Sequence, residues 1–215
     1  LGSYTSISFS DFGDQKMGSV GPNEYERLFF VQRINGRDEM VLNDNVNNQK
    51  HSAYNQLNLM QKIKYQANDN LTFDYSFYYT HSSNIPRYDR LIQMNGDHLK
   101  YAEWYYGPQD WTVNSFKISS TKPVLLWDAY KVQFVNQNYS EGRFNRKFDS
   151  NSLNSREEKL NIQSLNIDLN KKLSPDFFYF YGFEASNERL QSEATSTDIT
   201  NGQESSISTR YPDGD

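Results

Sequence analysis

Gln56-Leu57-Asn58-Leu59-Met60-Gln61-Lys62-Ile63-Lys64-Tyr65, then Ala67-Asn68-Asp69-Asn70, then Leu71-Thr72-Phe73-Asp74-Tyr75-Ser76-Phe77-Tyr78-Tyr79-Thr80, is the stretch that decides the fold. Leu57, Leu59, Ile63 and Tyr65 fall on one parity, with Gln56, Asn58, Lys62 and Lys64 on the other. In the second run Leu71, Phe73, Tyr75, Phe77 and Tyr79 alternate with Thr72, Asp74, Ser76, Tyr78 and Thr80. A period of two is the mark of a strand with unlike faces. The Asn/Asp-rich break between the runs makes them a hairpin. Runs of about ten residues also match the ~9–11 that a tilted strand needs to cross a bilayer.

Working outward, the same pattern recurs. Ser3–Ser10 alternates Thr5, Ile7 and Phe9 with serines. Asp128–Asn138 sets Tyr130, Val132 and Phe134 against Lys131, Gln133 and Gln137. Asn161–Asn170 sets Leu165, Ile167 and Leu169 against Ser164, Asn166, Asp168 and Asn170. Phe177–Glu184 puts Tyr179, Tyr181 and Phe183 on one side. Arg27–Ile34 reads as a strand and Asn35–Asn48 as a loop. Lys100–Ser119 shows two registers, Trp111 and Val113 against Phe116 and Ile118, which a β-bulge near Asn114 or Ser115 reconciles. The expectation is an all-β, antiparallel chain of about eight strands.

Connections alternate in length. Gln66–Asn70, Ser120–Pro123 and Lys171–Asp176 are tight; His81–His98, Ser140–Arg156 and everything after Asn187 are long. Outer-membrane barrels sort their turns this way, short on the periplasmic side and long outside. A soluble β-sandwich gives the same local alternation, because its polar faces meet water and its apolar faces share a core. Strand length, loop rhythm and rings near strand ends (Tyr65, Tyr79, Tyr139, Tyr181) favour the barrel. On that reading Leu57, Leu59, Phe73, Tyr75, Phe77, Leu165, Ile167, Tyr179 and Tyr181 face lipid. Asp74, Lys62, Lys64, Gln133 and Asp168 face the lumen.

Composition agrees. Mean hydropathy is -0.87, yet 15% of the chain is aromatic, with 16 Tyr and 14 Phe. Disordered chains are poor in such residues. No run of ~18 apolar residues exists to form a membrane helix. The net charge is -5 and the cations are scattered, so no nucleic-acid partner is expected. Cysteine is absent, which removes disulfides and thiolate metal sites. Leu1 and the loop-like end at Asp215 suggest an internal piece of a longer chain.

Catalytic patterns are missing. The three histidines, His51, His81 and His98, form no zinc motif, and no Gly-x-Ser-x-Gly turn or phosphate loop occurs. His81-Ser82 are neighbours, which on a strand point to opposite sides. No enzyme activity, catalytic residue, metal site or resident cofactor is expected. Arg87, Tyr88, His98, Trp104 and Tyr105 are the candidates for contacting a solute. Trp104-Tyr105-Tyr106-Gly107-Pro108 is either a stacking platform or a girdle of rings followed by a turn.

Several segments, in a consistent order, resemble the barrel of TonB-dependent outer-membrane receptors of the Bacteroidetes haem, iron-chelate and colicin-receptor type. These are Phe12-Gly13-Asp14-Gln15-Lys16-Met17-Gly18; Tyr54-Asn55-Gln56 leading through Gln61-Lys62-Ile63; Asn84-Ile85-Pro86-Arg87-Tyr88-Asp89-Arg90-Leu91; Ala102-Glu103-Trp104-Tyr105-Tyr106-Gly107-Pro108-Gln109; Tyr181-Gly182-Phe183-Glu184; and Thr209-Arg210-Tyr211-Pro212-Asp213-Gly214. The resemblance implies a 22-stranded barrel, of which this chain supplies an early part. A plug and a TonB-contacting box outside this sequence would link it to a periplasmic TonB protein. It implies outer-membrane lipid as surroundings, haem or a ferric chelate as the transported solute, with His81 or His98 as candidate axial ligands, and a surface lipoprotein as a further partner. A secreted glycan-binding sandwich and a non-transporting barrel scaffold are the competing readings.

Overall fold

The computed structural model describes residues 1–18 and 20–212. The chain begins with β1 (Gly2–Phe12) and a two-residue β2 (Gln15–Lys16). A hairpin follows, β3 (Phe29–Ile34) and β4 (Arg37–Leu42), then the short β5 (Asn48–Gln49). Next come β6 (Tyr54–Asn68) and β7 (Leu71–Ser82). The segment after β7 holds β8 (Ile85–Pro86), a one-turn helix α1 (Tyr88–Leu91), β9 (Met94–Asn95) and β10 (His98–Leu99). Four long strands complete the chain, β11 (Tyr101–Ser120), β12 (Ala129–Lys147), β13 (Ser152–Ser174) and β14 (Phe177–Asp198), with a short return β15 (Glu204–Ser206).

One antiparallel sheet runs β1-β6-β7-β11-β12-β13-β14-β15, with β8 added beside β11. Each long strand makes its main contacts with its sheet neighbours. No second long sheet covers either face among the described residues, so a sandwich core is not formed. The sheet is open: β1 pairs only β6, and β14 pairs β13 along its length but β15 only at Thr195–Thr197. Phe180 is 72% exposed and Ile7 66%. Burial of apolar side chains is confined to a few places, chiefly a cluster of Val31, Leu99 and Ala102 with Phe29, Met40 and Phe148.

That cluster lies where the β3–β4 hairpin meets the start of β11. An ion network fixes it. Arg146, 3% exposed, donates to Asp38 at 2.6 and 3.1 Å, to Glu103 at 2.7 Å and to the Ser150 carbonyl at 2.8 Å. Asp38 also accepts from the Asp149 amide at 2.9 Å. A buried carboxylate and guanidinium persist only when their remaining hydrogen-bonding capacity is met, and here each has several partners.

Three expectations are corrected by the pairing. Ser140–Arg156 is not a loop: β12 runs to Lys147 and β13 starts at Ser152, leaving a four-residue turn at 148–151. The residues after Asn187 likewise continue β14 to Asp198 before a short return. Asn35–Asn48 contains β4, joined to β3 through Asn35-Gly36, both at positive φ (50° and 80°). Positive φ at both central residues is the geometry of a two-residue hairpin turn. Loop length therefore alternates less than the sequence suggested. The tight set holds at 69–70 and 175–176, but residues 121–128 form an eight-residue connection.

The bulge expected near Asn114 is also absent. β11 pairs β7 and β12 without a shift from Gln109 to Ser120; against β12 the register shifts between Tyr101 and Glu103 and between Tyr106 and Gln109, the second at Gly107-Pro108. Phe116 and Ile118 face one side of the sheet, and Trp111 and Val113 the other.

Candidate functional site

Directly paired residues in an antiparallel ladder point to the same face. The registers therefore place Leu57, Leu59, Phe73, Tyr75, Phe77, Leu165, Ile167, Tyr179 and Tyr181 together on one face, joined by Phe116, Ile118, Val132, Phe134 and Phe183. Asp74, Lys62, Lys64, Gln133 and Asp168 lie on the opposite face. That second face carries Lys117–Asp74 at 3.2 Å, Lys131–Asp168 at 2.9 Å and a Gln133-to-Ser115 hydrogen bond of 2.9 Å. Tyr139, expected with the outward rings, belongs to this second face: it stands level with Trp111 and Leu160 and donates to Glu141 at 2.8 Å.

The apolar face is organised as a slanted band. Its residues are Ile7 and Phe9 in β1; Leu57 to Tyr65 in β6 and Leu71 to Tyr79 in β7; Phe116 and Ile118 in β11; Tyr130 to Phe134 in β12 and Leu165 to Leu169 in β13; and Phe177 to Phe183 in β14. The row through Ile7 reads Leu59, Tyr79, Thr112, Asn138, Asn161, Arg189: apolar at the start, polar at the end. The row through Phe183 is Ile167, Val132, Ile118, Phe73, Tyr65. Across six strand steps the band slides toward the tight-turn end by roughly ten residues, about 1.7 per step. With ~3.3 Å per residue and ~4.8 Å between strands, the band departs from the strand perpendicular by roughly 45–50°.

Tyrosine hydroxyls mark its borders. At the loop side, Tyr75 donates to Asn114 at 2.8 Å and Tyr79 to Asp110 at 3.3 Å. At the turn side, Tyr181 donates to the Leu126 carbonyl at 2.7 Å. A ring in an apolar zone with its hydroxyl reaching a polar row is the arrangement favoured at a boundary between two media.

The five proposed solute-contacting residues do not line one cavity. Arg87 and Trp104 come together: the guanidinium lies 5.0 Å over the indole and 5.4 Å over Tyr106, whose other neighbour is Arg143 at 5.2 Å. Arg87 makes three hydrogen bonds, bidentate to Asp89 at 2.6 Å twice and to the Tyr106 hydroxyl at 2.8 Å. This pairing raises the Arg87 pKa and holds the Asp89 carboxyl below the usual range. The arrangement straps the segment after β7 onto β11, helped by the Arg87 amide bonding to the Trp104 carbonyl at 2.9 Å. Tyr105 stacks on Phe144 at 4.9 Å. His98 stacks on Phe148 at 5.3 Å and touches Asp97 at 3.0 Å. His81 is held by Asp110 at 2.8 Å.

Tyr88 sits elsewhere, under Arg27 at 5.6 Å. Arg27 is 2% exposed, and its Nε and Nη1 have no hydrogen-bond partner among the described residues. Burial lowers its pKa to about 10. Nothing in the residue pattern signals this burial, since Arg27 begins a run that reads as an ordinary strand edge. Residues 213–214 of the C-terminal motif lie outside the described residues.

No group of three or more His, Cys, Asp or Glu side chains among the described residues is placed to hold a metal ion. No helix among them is long and apolar enough to cross a membrane, which says nothing of strands. No protein-family model, curated protein or solved structure matches this chain.

Proposed function

We propose that this chain is part of the wall of an outer-membrane β-barrel, and that the whole protein is a TonB-dependent receptor importing a scarce solute such as haem or a ferric chelate. The observation that carries the membrane reading is the slanted band. Strands of a barrel tilt by ~35–45° from its axis, so a horizontal slab of lipid crosses them obliquely. A band inclined at roughly 45–50° to the strand perpendicular is close to that trace. The nine residues from Leu71 to Tyr79 span ~30 Å along the strand, or about 20 Å along the slab normal after tilt, approaching the ~25 Å apolar height of such walls.

The ion-paired opposite face suits a wet or plugged lumen. The open edges at β1 and β14 leave room for the further strands that closure requires. The receptor identity rests on the sequence resemblance alone. In it, the loop-end cluster held by Arg146 and Arg87 presents a rigid outer surface to solute, and transport depends on the plug and TonB.

Two measurements test the two levels. A barrel migrates differently on a denaturing gel before and after heating and needs detergent to stay in solution. A full-length protein that is freely soluble and heat-insensitive refutes the membrane reading. In cells, solute uptake should vanish on deletion of TonB; uptake unchanged by that deletion refutes the receptor reading while leaving the barrel intact.

A further inference from the structure

Three connections lie at one end of the sheet, between β6 and β7, between β11 and β12, and between β13 and β14. The first and third are short and polar, Asp69-Asn70 and Pro175-Asp176. The second reads Thr121-Lys122-Pro123-Val124-Leu125-Leu126-Trp127-Asp128. Its tip is a run of consecutive apolar residues, with Leu125 91% exposed and Leu126 63%. An exposed apolar run of that length is unfavourable in water unless it has something to cover it.

The tip is also held in place. The Val124 amide donates to the Trp127 carbonyl at 2.7 Å, and the Asp128 amide to the Asn170 carbonyl at 2.8 Å. Lys171 Nζ donates to the Val124 carbonyl and to Asp128 Oδ1, both at 2.8 Å. The Tyr181 hydroxyl donates to the Leu126 carbonyl at 2.7 Å. Pro123 has no amide hydrogen to satisfy. The carbonyls of Val124, Leu126 and Trp127 thus each meet a protein donor. A turn in water has no need of this, because solvent serves its backbone; a turn at the edge of hydrocarbon does.

The two side-chain donors also give the tip a direction. Lys171 is level with Tyr179, and Tyr181 with Leu169 and through it Tyr130, all on the apolar face. Trp127 meets the Tyr130 ring edge-on at 5.8 Å. The turn therefore leans onto the margin of the band rather than toward the ion-paired face. An indole, a tyrosine hydroxyl and a lysine ammonium gathered at the rim of an apolar zone suit the headgroup level of a bilayer.

We propose that residues 123–127 form an interfacial anchor, with the backbone at headgroup level and the Leu125 and Leu126 side chains among the first acyl carbons of the periplasm-facing leaflet. The inference rests on the membrane reading above. Continuity with the band selects phospholipid as the occupant over a periplasmic protein.

The test uses the full-length protein in phosphatidylcholine vesicles. A nitroxide is attached to Leu125→Cys, to Asp69→Cys and to Ile167→Cys in turn, with the labelled parent protein as background and heat-sensitive gel migration as the check on folding. Collisions with oxygen, which concentrates in lipid, are compared with those of a water-soluble nickel chelate. The oxygen-to-nickel ratio at Leu125 should stand well above that at Asp69, in the polar turn at the same end, and at or below that at Ile167. In parallel, phosphatidylcholine brominated close to the headgroup should quench the emission that Trp127→Phe removes. A ratio at Leu125 equal to that at Asp69 places the tip in water and overturns the proposal. Few collisions with either reagent mean a protein cover, which overturns it equally, as does unquenched Trp127 emission. A label at Ile167 that meets nickel as readily as one at Asp69 overturns the membrane reading itself.

Discussion

Replacing Ile167 by Arg tests the slanted band most sharply. Ile167 stands level with Val132 and Phe183 on the apolar face, flanked along its own strand by Leu165 and Leu169. In the proposed wall it sits near the centre of the lipid slab, where an Arg costs ~2–4 kcal/mol, a factor of roughly 30 to 1,000 in the folded-to-unfolded ratio. Asn166, one residue away, faces the polar side beside Gln133 and Glu184, so Asn166→Arg should cost about 0–1 kcal/mol. Urea titration in vesicles, followed by tryptophan fluorescence and by heat-sensitive gel migration, reads both. The same scan should peak at Ile7 and Phe9 in β1 and at Tyr179 to Phe183 in β14. Equal costs for Ile167→Arg and Asn166→Arg refute the facing. Peaks aligned on one row perpendicular to the strands refute the tilt.

Arg146→Met should destabilise by about 3–5 kcal/mol, because Asp38 stays buried without its cation; thermal unfolding of this variant beside Arg33→Met, whose 3.5 Å contact to Asp38 is half-exposed, should show a much smaller loss for the latter. Gly182→Ala should destabilise by about 1–3 kcal/mol, since a Cβ there would stand 2.2 Å from the Ile167 carbonyl oxygen; an unchanged midpoint in denaturant contradicts that geometry. Burial and the nearby Arg27 lower the His51 pKa from 6.5. A base depressed in the fold binds fewer protons than in the unfolded chain, so its contribution is intact above 6.5 and is lost as pH falls below it. Hydrogen exchange of residues 43–53 should accelerate over that window, and His51→Phe should abolish the change.

The faces of β6, β7, β12, β13 and β14 were legible because a two-residue alternation is written residue by residue. Phe73 and Asp74 declare opposite sides with no knowledge of their neighbours. The outer halves of β12 and β13 were not. Glu141-Gly142-Arg143-Phe144-Asn145-Arg146 has no apolar rhythm, and its extended form is fixed by backbone pairing to Tyr106 and Arg156 across the ladder. β4 was hidden by the Asn/Asp-rich stretch that follows it, although Asn35-Gly36 after Phe29–Ile34 was an available hairpin signal. The two parities of β11 were visible but misread as a bulge. They reflect a change in which face is apolar along one regular strand. Arg87 with Trp104 could be foreseen as neighbours in space only through β8, whose two residues are too few to carry a pattern.

The Arg146–Asp38 bond joins positions 108 residues apart in sequence. A contact of such separation forms late, because a long stretch of chain must be ordered before it closes. The β3–β4 hairpin can acquire its own turn early and can pack Val31 on Leu99 and Ala102 once the start of β11 is present, yet its buried Asp38 lacks the Arg146 guanidinium until β12 stands beside β11. The segment before β6 is thus held by two fastenings of different reach, an apolar one that needs the chain only to Ala102 and an ionic one that waits for Arg146, and a chain lacking β12 would keep the first while Asp38 lost its closest cation.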